Sequence, residues 1–312
     1  MRVIDIHTHG IGGYETKGAT PEDILRIAKM HGKYSIDAVI PTVYSASIDQ
    51  MRADIAAVKK AMQMQAAEGG SSKSEVQGPR LENNMPNGWL KNDLIRGDTP
   101  ARILGVHLEG PFLNPLRAGA LDKSSFLPAK VTSWEKLVEG FGDIIKIITV
   151  APELDGAAEL IKTITNVNII VSMGHSDATY TEAEKGFNAG AKGITHIFNA
   201  MRAIHHREPG IAGFGLTNPH VYIETIADSF HLHQKTIEMI FTIKCPEKII
   251  IVSDSVEATK TDAMKGGIAD STGSLTGGSM TITESAQRLM DMGFPKNTVE
   301  QCISLNPEEY LK

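Results

Sequence analysis

His7 and His9 stand two residues apart at the end of an apolar run, Arg2-Val3-Ile4-Asp5-Ile6, and Gly10 follows directly. Alternate residues of a β-strand point to the same side, so the two imidazoles can grip one ion together. Taken alone, the pattern leaves open a metal site or a solvated histidine pair at a strand end. The same design, a β-branched run closing on ionisable residues, recurs along the chain. Runs end in His107-Leu108-Glu109-Gly110-Pro111-Phe112, in Gly174-His175-Ser176 and in Thr195-His196 followed by Phe198-Asn199-Ala200-Met201. Two more end in Asp228-Ser229-Phe230-His231 and in Ser253-Asp254-Ser255. A hydrophobic core has no use for so many carboxylates and imidazoles, since each would have to be desolvated and paired. Gathered on one rim, they would make a site for metal-assisted catalysis.

The elements that must position them are eight short β-branched runs, at 2–6, 37–43, 102–108, 143–150, 167–173, 193–198, 221–227 and 248–253. Helical patterns alternate with them at 21–32, 48–67, 155–165, 179–189 and 233–243, the first behind a Thr20 cap with Pro21 in its opening turn. Strands separated by crossover helices predict an α/β fold with a parallel sheet, and eight of them predict a (β/α)8 barrel. Chemistry in such a barrel sits at the carboxyl ends of the strands. With 312 residues, 41% of them hydrophobic, the chain is ample for one large barrel or two ordinary domains. The strand count favours a single catalytic barrel over 1–312. Residues 68–100, rich in Gly, Ser, Asn and Pro, read as a flexible insertion between the second helix and the third strand. Residues 263–278, rich in Gly, Ser and Thr, follow the last strand on the face where active-site loops lie.

A formal net charge of -6 argues against nucleic acid or an anionic membrane as the main partner, so an anionic ligand must meet a local positive site. Cys245 and Cys302 are too few for a disulfide framework. With neither a signal-peptide pattern nor an apolar run of bilayer length, a cytoplasmic enzyme is expected.

The rim motifs, in order and together with Arg207-Glu208-Pro209-Gly210, resemble the signature of N-acetylglucosamine-6-phosphate deacetylases in the amidohydrolase superfamily. The resemblance runs from about Ile4 to the end of the chain and rests on no single motif. It implies a metal-dependent (β/α)8 barrel that deacetylates N-acetylglucosamine 6-phosphate, a phosphorylated amino sugar. It implies Glu109, His175 and His196 as ligands of the principal ion, a set that leaves a coordination position open. His7 and His9 are implied to hold a second ion, with Glu109 bridging and Asp254 nearby, so one or two ions per subunit are expected. Zinc is the default, and iron, manganese or cobalt would also suit imidazole and carboxylate ligands. Asp254 is implied as the catalytic carboxylate, which takes a proton from the attacking water and returns it to the departing amine.

On the phosphate side the resemblance implies Arg207 and His231, reaching in from a neighbouring subunit of a homodimer. Asn199, the backbone at Ala200, Ala120 and Leu275 are implied substrate contacts. His107, two residues before Glu109, faces the same side of its strand and reads as a support for it. His205 and His206 read as surface residues. Two departures stand out: Leu121 occupies a position after Gly119-Ala120 where the family usually has histidine or glutamine, and no separate β-sandwich domain is expected. A deacetylase of a related N-acyl amino sugar, such as N-acetylgalactosamine 6-phosphate, and a lapsed metal- and sugar-phosphate-binding protein are the alternatives.

Overall fold

The computed structural model describes residues 1–71, 99–261, 266–269 and 273–312. Among them, eight parallel strands pair in chain order: β1 Ile4–Thr8, β2 Ala38–Tyr44, β3 Val106–Glu109, β4 Ile145–Val150, β5 Ile170–Met173, β6 Gly193–Ile194, β7 Tyr222–Ile226 and β8 Ile249–Val252. The ring closes above β8, where Asp254 N–H donates to His7 O at 2.9 Å and His9 N–H to Ser255 O at 2.7 Å. This is the expected (β/α)8 barrel. Around it lie α1 Pro21–Lys33, α2 Ile48–Ser71, α3 Val131–Val138, α4 Ala157–Thr165, α5 Tyr180–Asn188, α6 Gly210–Thr217, α7 Gln234–Ile243, α8 Ile282–Asp291, α9 Lys296–Ile303 and α10 Leu305–Tyr310.

Local chemistry sets the boundaries. Thr20 and Asp23 cap α1 reciprocally, as Thr179 and Glu182 cap α5 and Thr281 and Glu284 cap α8, each cap worth about 1 kcal/mol. The main core lies between strands and helices, while a second cluster of Ile4, Ile6, Ile40, Ile147, Ile226, Ile250 and Val252 fills the barrel itself. Tyr310, fully buried at the end of α10, joins that cluster and closes the floor. The polar rim therefore faces the opposite end.

Several expected boundaries move, for identifiable reasons. The run 102–108 divides into a short strand Arg102–Ile103 and β3, parted by Gly105, where a Cβ would sit 2.3 Å from Ile144 O. The run 193–198 shortens to β6, because His196 and Phe198 turn the backbone left-handed at φ +28° and +75°. Helix α6, not foreseen, is hidden by three glycines; Gly215 lies against Ile194, where a Cβ would come within 3.0 Å of its side chain. Helices α3, α8, α9 and α10 were not foreseen either. Helix α2 continues to Ser71, inside the stretch 68–100 expected to be an insertion, most of which lies outside the described residues.

Candidate active site

Six ionisable side chains from five separated parts of the chain meet at the carboxyl ends of the strands. His7 comes from β1 and His9 from just beyond it, Glu109 is the last residue of β3, and His175, His196 and Asp254 follow β5, β6 and β8. Glu109 Oε1 lies 3.1 Å from His175 Nε2, 3.0 Å from His196 Nε2 and 3.5 Å from His7 Nε2, while its Oε2 is 3.3 Å from His9 Nε2. Asp254 Oδ1 stands 3.4 Å from His7 Nε2 and 3.5 Å from His9 Nε2. Two ligand groups result, Glu109 with His175 and His196, and His7 with His9 and Asp254.

The backbone is bent to make this possible. His175, His196 and Asp254 adopt φ of +45°, +28° and +48°, a left-handed conformation that costs a side-chain-bearing residue about 1 kcal/mol or more. Neighbouring loops hold them there. Asn114 N–H donates to His175 O at 2.9 Å, Asp254 N–H to His7 O at 2.9 Å, and Gly278 N–H to Asp254 O at 2.7 Å. Glu153, beyond β4, adds a tie by accepting from Asn114 Nδ2, Ser176 Oγ and Asp177 N–H.

The hydrogen bonds behind the imidazoles settle what their front faces offer. His9 Nδ1 lies 3.1 Å from Thr42 O and His175 Nδ1 2.9 Å from Arg117 O. Carbonyl oxygens only accept, so each of these rings carries a proton on Nδ1. His7 Nδ1 lies 3.0 Å from Glu224 Oε2 and is held the same way. In their neutral forms His7 and His9 then aim two bare Nε2 lone pairs at each other across 3.3 Å, and the Nε2 atoms of His175 and His196 approach to 3.2 Å. Facing acceptors repel unless positive charge lies between them. Two nitrogens bound tetrahedrally to one zinc stand about 3.3 Å apart, so the donor set fits a divalent cation.

Titration tendencies say the same. Burial disfavours the His7 cation, yet Asp254, Glu109 and Glu224 outweigh it and hold its pKa well above the usual imidazole value. Burial would raise the Glu109 pKa, but the surrounding imidazoles pull it well below the carboxylate range. His196 is raised against its own burial, chiefly by Glu109. The cluster draws in positive charge.

Above the cluster opens a cavity of about 650 Å³, into which His9, Glu109, His175, His196 and Asp254 all face. Ala120, Asn199, Ala200, His231 and Leu275 line it too, and so does Leu121. Leu275 belongs to a hairpin, Ile268–Ala269 with Leu275–Gly277, within the stretch 263–278; residues 262–265 and 270–272 lie outside the described residues. Arg207 does not line the cavity of its own chain: it sits on the exposed loop 202–209 with His205 and His206. His231, expected to reach a neighbour's site, instead faces its own chain's cavity, its Nδ1 held 3.0 Å from Asp228 Oδ2. Burial opposes the Asp228 charge, but this imidazole and the N–H groups of Phe230, His231 and Ser279 bring its pKa far down. His107 is not bonded to Glu109; its ring nitrogens meet Ile6 O and Thr149 Oγ1, and it packs edge-on against His7 at 4.6 Å.

Two residues of the site were not foreseen. Tyr44, opposite Glu109 in the β2–β3 register, stacks on His9 with centroids 3.8 Å apart. Glu224 backs His7, and its signal was legible, a lone carboxylate within the apolar run 221–227.

Fold and rim together define the class: a (β/α)8 barrel with a cluster of imidazoles and carboxylates at the carboxyl ends of its strands. No family model matches the chain. Among the curated proteins it is similar to are N-acetylglucosamine-6-phosphate deacetylases, which its motifs resemble. It is 28% identical to that of Vibrio furnissii over 92% of this chain and 67% of the relative. It is 39% identical to that of Bacillus subtilis (strain 168) over 61% of this chain and 46% of the relative. An N-acetylgalactosamine-6-phosphate deacetylase of Escherichia coli O157:H7 is 25% identical over 99% of this chain and 76% of the relative. The chain thus spans about two thirds of the first relative's length and under half of the second's. Among solved structures, the Thermotoga maritima N-acetylglucosamine-6-phosphate deacetylase superposes with a TM-score of 0.80 at 24% identity, over 99% of this chain and 77% of that one. A mutant of the Mycobacterium smegmatis enzyme in complex with N-acetyl-D-glucosamine-6-phosphate superposes with a TM-score of 0.81 at 23% identity, again over 99% and 77%. Both establish the fold.

Proposed function

We propose that the barrel hydrolyses the acetamide of N-acetylglucosamine 6-phosphate, releasing acetate and glucosamine 6-phosphate. The observation that carries this reading is one cluster of four imidazoles and two carboxylates, all but His7 opening onto one cavity. Glu109, His175 and His196 hold the principal ion, and His7, His9 and Asp254 a second, with zinc the best match to the donors. Such an ion supplies Lewis-acid polarisation of the amide carbonyl. Asp254 accepts a proton from the attacking water and delivers it to the departing nitrogen, so that water and amide give carboxylate and amine in balance. His231, braced by Asp228, donates to the phosphate from within the same chain. Arg207, exposed and away from its own cavity, serves the cavity of a second copy, which makes the working unit a homodimer. Asn199, Ala200, Ala120 and Leu275 shape the walls around the sugar, with Leu121 giving an apolar contact where a polar one is usual. The catalytic unit is the barrel of 1–312. A phosphate dianion does not cross a bilayer unaided, which favours a cytoplasmic location for an enzyme that consumes one.

A second reading, the galactosamine epimer as substrate, is favoured by the similarity to the Escherichia coli N-acetylgalactosamine-6-phosphate deacetylase. Acetate release by metal-reconstituted protein decides between the two when both 6-phosphates and their unphosphorylated sugars are compared. Preference for the glucosamine derivative is expected, with turnover largely lost when phosphate is omitted. Binding without turnover on either epimer would leave a lapsed binding protein, and equal rates on free sugars would remove the anion site.

A further inference from the structure

Glu224 occupies the middle of β7, 1% exposed, and its Oε2 lies 3.0 Å from His7 Nδ1. Its other oxygen, Oε1, meets no hydrogen-bond partner among the described residues. A buried carboxylate is expensive to desolvate, so one half-satisfied in a barrel wall does not serve stability. Nor do His7, His107 and Glu224 make a further ion site, although they cluster. Both ring nitrogens of His107 are engaged, with Ile6 O and Thr149 Oγ1. What distinguishes His7 is its backing. His9 and His175 lean on the neutral carbonyls of Thr42 and Arg117, and the buried Nδ1 of His196 has no partner among the described residues. A carboxylate behind an imidazole fixes its tautomer and makes the opposite nitrogen a stronger donor.

We propose that Glu224 is a positioning residue that orients and strengthens His7, so that the ion held by His7, His9 and Asp254 depends on it while the ion held by Glu109, His175 and His196 does not. The inference rests on the two-ion reading above. Calorimetric titration of metal-free protein with zinc, paired with metal content after dialysis, tests both.

Wild type is expected to take two ions, and Glu224→Gln to bind the first as wild type does and the second about tenfold to a hundredfold more weakly. Glu224→Asp, which keeps the charge but shortens the reach, is expected to weaken the same ion alone and guards against a folding defect in the first variant. In a His7→Ala background, Glu224→Gln is expected to add nothing. Two ions bound with wild-type affinity by both Glu224 variants would overturn the inference while leaving the two-ion reading intact. Equal weakening of both ions, with a lower melting temperature of the metal-free variant, would overturn it in favour of a structural role. A wild type that takes one ion removes the two-ion reading itself.

Discussion

Asp254 and Glu109 are both carboxylates facing imidazoles, but they are not equivalent. The Asp254 side chain is 14% exposed and that of Glu109 4%, so Asp254 is the one open to a substrate. Asp254→Asn keeps the shape and removes the proton acceptor, and acetate release should fall by about 10²–10⁴-fold. A variant that turns over like wild type would dismiss Asp254 as the proton carrier. At this scale the sequence was unusually legible, because each rim residue closes a β-branched run and strand ends are where a barrel does its chemistry. Glu224 escaped because its run was read as wall rather than site, and Tyr44 because an aromatic at a strand end is ordinary. The left-handed backbone at His175, His196 and Asp254 could not be foreseen, since none is glycine and the strain is upheld by hydrogen bonds from distant loops.

At the scale of elements, Lys244 joins two helices. It follows α7, is 2% exposed, and its Nζ donates to Gly215 O and Asn218 O at the end of α6. Burial lowers its pKa to about 8. The unfolded chain keeps this proton to higher pH than the folded one, so between pH 8 and 10 stability gains from a rise in pH. Denaturant melts of wild type and Lys244→Met should diverge over that window in favour of wild type, by at most about 3 kcal/mol. Parallel curves would place an ordinary, solvated lysine there. Periodicity found α1, α4, α5 and α7 within a residue or two, because a charged face alternates with an apolar one. It missed α6, whose Gly-Ile-Ala-Gly-Phe-Gly-Leu stretch is buried all round and has no polar face to set a period.

For the molecule as a whole, ligand atoms gathered around one point mean that an ion should stabilise the folded state by mass action. At free zinc about a thousandfold above the dissociation constant the gain is about 4 kcal/mol. Scanning calorimetry with and without chelator should therefore show a large drop in melting temperature on metal removal; an unchanged transition would deny the cluster its cation. The barrel was legible from strand count alone, whereas its floor, closed by Tyr310, was not, since a lone tyrosine near the end of a chain carries no pattern. The ligand groups also bear on biosynthesis. Their members run from His7 to Asp254, so the second group does not exist until both the first and the last strand of the barrel have been made. A cation thus cannot template the early strands as it does in a zinc finger, and any ion in the second group has to enter after the barrel has closed.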